Sequence, residues 1–301
     1  MPDMQPGRAE TVAPGVRRLL APNPSAMTGP GTNSYLLEDA GDLIVVDPGP
    51  LIEAHLAALV EAAGTAARIS AIIVTHAHLD HSAAAPALSA QTGAPVLAFG
   101  DAASGRSALM QRLSAQGLGG GGEGIDRAFR PDRLLADGAY LSLGGRRIEV
   151  IHTPGHMGGH LCLALDDILF SGDHAMAWAS TLVSPPDGDM GAYMASLTRL
   201  EARSWGLMLP GHGPEVPDPA TRLADLRRHR LSREAEILAA LSRGPARIAE
   251  LTHRIYHDTP PALLPAARRN VLAHLVDLLE RNLVSCDDLA DPETYFAPTR
   301  P

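Results

Sequence analysis

The sequence predicts an α/β sandwich, with sheets packed inside helices, followed by a small helical domain. Three observations carry that prediction. Short β-branched and apolar runs alternate with segments of helical spacing. Paired apolar runs are joined by turn residues. A proline-rich break at Pro214, Pro217 and Pro219 then marks a change in composition.

Residues 32–37 (TNSYLL), 42–47 (DLIVVD) and 71–75 (AIIVT) predict strands. After the second, Pro48-Gly49 leads into an Ala/Leu-rich helix over 51–63, in which His55 is expected to face solvent. Residues 82–92 predict another helix, ended by Gly93, and 95–98 the next strand. The glycine run at 117–124 (GLGGGGEG) predicts a surface loop, with a flap over the substrate as the alternative. No Gly-Lys-Ser/Thr follows, so it is not a phosphate loop. Strand patterning over 139–151 is split at Gly144-Gly145, and 161–165 with 168–170 predicts a hairpin across Asp166-Asp167. A helix over 190–203 and a short strand over 207–209 complete this part.

Beyond the break, residues 221–281 hold 11 arginines against 7 acidic residues, a local +4 in a chain of formal net charge −9. Helical patterns at 221–242, 248–255 and 262–281 predict a winged-helix or helix-turn-helix bundle. A packing and dimerisation module is the alternative, so a homo-oligomer stays open. The expected division is residues 1–217 and 218–301.

Composition excludes several classes. The 301 residues are 45% hydrophobic and 20% charged, as in globular proteins. No apolar run approaches the roughly 18 residues that a membrane helix needs. The first residues lack the pattern of a secretory signal, so the cytoplasm is the expected location. Cys162 and Cys286 are the only cysteines, which excludes a disulfide framework and a Cys-x-x-Cys motif. All 25 basic residues are arginine, which excludes lysine Schiff-base chemistry.

The strand at 71–75 runs directly into His76-Ala77-His78-Leu79-Asp80-His81. Four ligand-type side chains delivered by a rigid strand suit two metal ions a few ångströms apart. His76 and His78 can point one way while Asp80 and His81 reach an adjacent point. Imidazole with carboxylate suits zinc best, and iron and manganese remain compatible. Three further strand ends launch a potential ligand through a glycine turn: Thr153-Pro154-Gly155-His156, Ser171-Gly172-Asp173 and Pro210-Gly211-His212-Gly213.

The series HAHLDH, TPGH, SGD and PGHG resembles the metallo-β-lactamase superfamily of hydrolases, from about Gly31 to Gly213. The resemblance implies an αββα sandwich with two metals at one sheet edge. It assigns His76, His78 and His156 to one metal, Asp80, His81 and His212 to the other, and Asp173 to both. Two zinc ions would supply a hydroxide nucleophile at neutral pH, which Asp80 would also orient. Asp47 in VVDPG is the expected partner of a ligand's free ring nitrogen, with a turn residue as the alternative. Asn33, His152 and His174 adjoin the site in sequence and are expected to be structural or lining residues.

Aspartate rather than cysteine at 173 points away from β-lactamases, and the lack of lysine away from glyoxalase II. Only 38 residues separate Asp173 from His212, too few for an inserted nuclease cap. NPSAMTGPGTNSYLL, VVDPGP and the tail segments HRLSREAEIL, LTHRIY and ARRNVLAHLVDLLERNLV resemble the β-lactamase-like protein 2 group, with its appended winged helix. Relatives in that group include single-strand endoribonucleases and polyketide thioesterases. The resemblance therefore implies hydrolysis of a small ester, thioester or related acyl compound. The alternative is a metal-dependent single-strand endoribonuclease with Arg227, Arg228, Arg230, Arg268 and Arg269 on phosphates. A nucleic-acid-binding regulator with an inert hydrolase domain is disfavoured by the intact ligand set. A narrow apolar slot near His212 and the C-terminal domain favours the acyl substrate; a long arginine-lined trough favours RNA.

Overall fold

The computed structural model describes residues 4–64, 68–120, 124–289, 291 and 293–299. Gly121, Gly122 and Glu123 of the glycine run lie outside the described residues.

Two sheets face each other. The first holds β1 (Glu10–Ala13), β2 (Val16–Leu20), β3 (Asn33–Asp39), β4 (Asp42–Val46), β5 (Arg68–Ile73), β6 (Val96–Ala98) and β7 (Arg133–Leu134), in that spatial order. Its first four strands are antiparallel, and β4 to β7 are parallel. The second runs β12-β11-β10-β9-β8, from β8 (Tyr140–Leu143), β9 (Arg146–His152), β10 (Leu161–Leu165), β11 (Ile168–Gly172) and β12 (Leu207–Pro210). Alternating side chains of both sheets meet in one core that includes Tyr35, Leu37, Ile44, Ile73, Val150, Leu163, Phe170 and Leu209.

Helices cover the outer faces. α1 (Glu53–Ala63) and α3 (Ala85–Thr92) pack on the first sheet through Leu56, Leu59 and Leu88 against Leu43, Val45 and Ile72. Between them lies the one-turn α2 (Leu79–Ser82). α5 (Met190–Glu201) covers the second sheet through Tyr193 and Leu197 against Leu169 and Met208. This is the αββα order, because each sheet has one inner face and one helix-covered face.

The chain then enters α6 (Pro219–Leu241), started by Asp218, whose carboxylate accepts from the Thr221 amide at 3.1 Å. α7 (Ile248–Ile255) and α8 (Leu264–Glu280) follow. They pack with a small sheet of β13 (Ala246–Arg247), β15 (Tyr295–Pro298) and β14 (Val284–Ser285) around Leu251, Val271, Leu275 and Phe296. Helices with a small hairpin are the winged-helix arrangement. α4 (Ala108–Ala115) lends Met110 and Leu113 to the same core. Leu223, Leu226 and Ala273 join the α5 core, so the C-terminal helices lie against the αββα sandwich. No described helix is long and apolar enough to cross a membrane.

One reading is corrected. His55 is not solvent-facing: it is 1% exposed, on the buried stripe of α1 with Leu56, Leu59 and Ala63. Its Nε2 lies 2.9 Å from the Ser34 hydroxyl, and burial pushes its pKa down to about 4.

Candidate metal centre

Five strand ends supply the site. β4 ends just before Asp47, β5 before Thr75-His76, β9 before Thr153 to His156, β11 before Asp173, and β12 before His212. Because the strands end on one side of the sandwich, side chains remote in sequence converge there. Turns without a Cβ make room. A Cβ on Gly211 would lie 2.4 Å from Asp173 Oδ1, and one on Gly172 (φ +48°) would lie 2.6 Å from His160 Nε2.

The predicted ligands form two adjacent groups, His76, His78, His156 and Asp173 in one and Asp80, His81 and His212 in the other. Within each group the candidate donor atoms lie within 4.8 Å of one another. His78 Nδ1 lies 3.0 Å from His76 Nε2 and 3.1 Å from His156 Nε2. His81 Nε2 and His212 Nε2 are 3.3 Å apart. Asp173 Oδ2 lies between the groups, 3.3 Å from His212 Nε2, 3.8 Å from His156 Nε2 and 4.0 Å from His76 Nε2. Asp80 Oδ2 is 3.3 Å from His212 Nε2 and 3.6 Å from His81 Nε2.

What stands behind each ring determines which nitrogen faces inward. The Thr75 hydroxyl donates to Asp47 Oδ2 at 2.8 Å, so at its 3.0 Å contact with His76 it accepts from Nδ1–H. His156 Nδ1 donates to Leu182 O at 2.7 Å, and His212 Nδ1 to Gly31 O at 3.1 Å. His81 Nδ1 meets Asp47 Oδ2 at 2.9 Å. These networks assign the tautomers and turn four Nε2 atoms into the cluster.

This arrangement fits a pair of cations. His76 and His156 direct lone pairs at a single His78 nitrogen, which holds at most one proton to share. Asp173 Oδ1 is buried with no well-formed hydrogen bond among the described residues, although it lies 3.4 Å from His81 Nε2. A cation in each group satisfies those atoms at once, and an imidazole–carboxylate donor set is of the kind that zinc takes.

Charge divides the two groups. Burial, reinforced by neighbouring imidazoles, pushes the His76 pKa well below its ordinary value and that of His78 to about 3. Burial also lowers His156. Burial works against protonation of His212 as well, but Asp173 and Asp80 prevail and raise it to about 9. His81 rises for the same reason, beside Asp80, Asp173 and Asp47. Asp80 and Asp173 are both held well below the carboxylate range, because His81 and His212 outweigh the cost of burial.

The remaining expectations divide. Asp47 does more than support one ring: through His81, and through the Thr75 hydroxyl on His76, it braces both groups. Asn33 is structural, donating to the carbonyls of Pro210 and Gly213 at 2.9 Å each and so holding the turn that carries His212. His174 points away, buried against Tyr193 with neither ring nitrogen partnered among the described residues. His152 stacks on Phe99 at 3.9 Å and bonds to Gly158 O at 2.8 Å. Sequence reading missed His160, which is fully buried and accepts from the Asp173 amide at 3.2 Å. Its spacing of four from His156 was the available signal.

A cleft of about 550 Å³ opens on the cluster. His78, Asp80, His156, Asp173 and His212 lie at one end, and the walls are largely apolar, with Met27, Met176, Trp178, Leu182, Tyr256 and Leu263. The tail arginines do not line a trough. Arg230 is 1% exposed, Arg227 pairs with Glu201 at 2.8 Å, and Arg228 pairs with Asp225 at 2.7 Å. Arg269 lines the cleft but donates to Ser184 Oγ and Pro185 O. Of the five expected phosphate contacts, Arg268 alone is exposed with no ion pair among the described residues.

Comparison with known proteins agrees with this geometry. Residues 27–212 match the Metallo-beta-lactamase superfamily and residues 248–290 the Beta-lactamase associated winged helix domain. The chain belongs to the metallo-β-lactamase superfamily, and its clustered histidines and aspartates form a dimetal-like site. It is 31% identical over 170 residues to a beta-lactamase-like protein 2 homolog of Drosophila melanogaster, covering 55% of this chain and 57% of that one. An atrochrysone carboxyl ACP thioesterase of Aspergillus chevalieri is 29% identical over 144 residues, covering 44% of this chain and 46% of that one. The chain thus spans about half the length of these curated relatives. A beta-lactamase domain protein from Burkholderia ambifaria superposes with a TM-score of 0.79 at 26% identity, covering 99% of this chain and 96% of that one.

Proposed function

We propose that the chain is a binuclear zinc hydrolase acting on an ester, thioester or related acyl substrate. The apolar cleft that opens on the His/Asp cluster carries the substrate reading. Such walls favour an acyl chain, and Arg269 is the single arginine that lines them, too little positive charge to track a polyanion. The thioesterase among the relatives supports the same chemistry.

In this reading His76, His78 and His156 would hold one ion and Asp80, His81 and His212 the other, with Asp173 available to both. When bound, the cations supply a hydroxide nucleophile at neutral pH and polarise the attacked carbonyl, since a metal can lower the pKa of water from about 15.7 to about 7. The chain's own residues prepare the reaction. Asp80 lines the cleft, and its Oδ2 accepts from the Thr32 hydroxyl at 3.3 Å. Kept ionised by His81 and His212, it can accept a hydrogen bond from the attacking water and orient it. Met176, Trp178 and Leu263 exclude bulk water and hold the acyl chain, so that the carbonyl reaches the cluster. We place the division between the catalytic and C-terminal units at 217/218, just before the Asp218 cap.

Zinc-loaded protein assayed on aryl esters, lactones and acyl thioesters of increasing chain length tests the proposal. Turnover that rises with chain length and disappears in His76→Ala is expected. Activity equal to that control across the panel sinks the acyl reading.

A further inference from the structure

The segment 176–185 lines the cleft through Met176 and residues 178–182, and it supplies both back-side partners of His156. The Thr181 hydroxyl lies 3.1 Å from His156 Nδ1, and Leu182 O accepts from that nitrogen at 2.7 Å. This wall is tied along its length to the C-terminal helices. From α6, Arg222 donates to Met176 O at 2.7 Å and Ala179 O at 2.8 Å. Eight residues further along the same helix, Arg230 donates to Thr181 O. From α8, Asn270 Oδ1 accepts from the Val183 amide at 3.0 Å and from Arg230 at 3.3 Å. Arg269 adds Ser184 Oγ and Pro185 O.

Arg230 is an expensive residue to place here. It is 1% exposed, and neither it nor Arg222 has an acidic partner among the described residues. A buried cation without a counter-charge is costly unless its hydrogen bonds are well made, and Arg230 Nε has no partner among the described residues. Its bonds go to Thr181 O and Asn270, and the Tyr193 ring lies 5.3 Å away. Thr181 and Val183 are the residues on either side of Leu182, whose carbonyl fixes the His156 ring. A helix packed for stability alone would take leucine or methionine at such a position.

We infer that Arg230 and Asn270 are positioning residues for His156, so that the C-terminal unit completes the metal centre from behind. They hold the peptide at 181–183, that peptide holds Nδ1, and Nε2 is thereby aimed into the cluster. Part of the excess arginine in the tail is thus turned inward onto backbone carbonyls. The inference rests on His156 being a metal ligand.

The test is zinc binding measured against a chelator, with the visible spectrum of the cobalt-substituted protein and the melting temperature of the metal-free protein. Arg230→Met and Asn270→Ala are expected to weaken one of the two sites tenfold to a hundredfold, as removal of a ligand's outer partner does. The other site stays near its original affinity, and the cobalt spectrum shifts. Arg230→Lys is expected to recover part of the loss, and it carries the test if the other two variants do not fold. Arg227→Gln, on the same helix, should change nothing. Folded variants with two sites of unaltered affinity and spectrum overturn the inference. His156→Ala separates the two claims: if it too keeps both sites, the ligand assignment fails; if it alone loses a site, only the positioning role fails.

Discussion

The buried histidines at the sheet edge and those beneath the C-terminal helices differ in what stands behind each ring. At the sheet edge, His76, His81, His156 and His212 each have one nitrogen committed to a hydroxyl, a carboxylate or a carbonyl. Beneath the helices, His174 and His274 are equally buried, yet neither nitrogen of either ring has a hydrogen-bond partner among the described residues. The first set is braced and aimed at common points, as ligands must be. The second set is neutral filling. Burial alone therefore does not mark a metal site, and neither does a partnered ring, since His55 and His160 are buried and hydrogen-bonded too; what sets the sheet-edge rings apart is one nitrogen braced and the other aimed at a shared cluster.

Removing a sheet-edge ring should break this comparison most severely. His212→Ala is expected to lose one metal equivalent and to lower turnover by more than about 100-fold, exceeding the usual cost of losing an outer partner. Metal content and kcat measured on one preparation check it. Asp47→Asn leaves every ligand in place but weakens the brace behind His81 and Thr75. Metal affinity should fall by about 10- to 100-fold, and at both sites, because Asp47 serves both groups. A loss confined to one site would show that the Thr75 link to His76 carries no strain.

His274 should respond in the opposite way. Burial, with Arg230 nearby, pushes its pKa to about 3, below an unfolded value near 6.5. Between those values the unfolded chain binds more protons, so stability rises with pH; it is fully present above about 6.5 and lost as pH falls toward 3. At pH 5 the loss from this one group is about 2 kcal/mol relative to neutral pH. His274→Leu should therefore flatten the acid limb of a denaturation series between pH 7 and 5 and leave metal affinity unchanged. An unchanged limb would mean that the ring is protonated in the folded protein. Smallest of all is Arg228→Gln, on the exposed face of α6, with an expected stability change below about 0.5 kcal/mol by urea titration and no effect on metal binding.

The clustering of side chains launched from strand ends was legible in the sequence, because a short apolar run followed by a glycine turn and a histidine or aspartate fixes both position and direction. The strands and helices flanking them were legible for the same reason. β1 and β2 were not: Arg17 and Arg18 break their pattern, and Arg18 is buried only because Glu10 and Glu215 pair with it at 2.7 and 2.9 Å. The small C-terminal sheet escaped because β13 and β14 are two residues each, too short for any period. His55 was misread although its spacing from Leu59 and Ala63 places it on the apolar stripe; residue type was allowed to outweigh position. The direction of the tail arginines was not legible, because charge gives no direction. Composition reports a basic segment, and only packing shows that Arg222 and Arg230 face inward.

The central claim is that two braced groups each hold one ion, with Asp173 shared. Elemental analysis of the zinc-loaded chain tests it most directly, on the unaltered protein and on His156→Ala and His212→Ala. Two ions per chain are expected in the first and one in each variant. A single ion in the unaltered protein, or two in either variant, would contradict it.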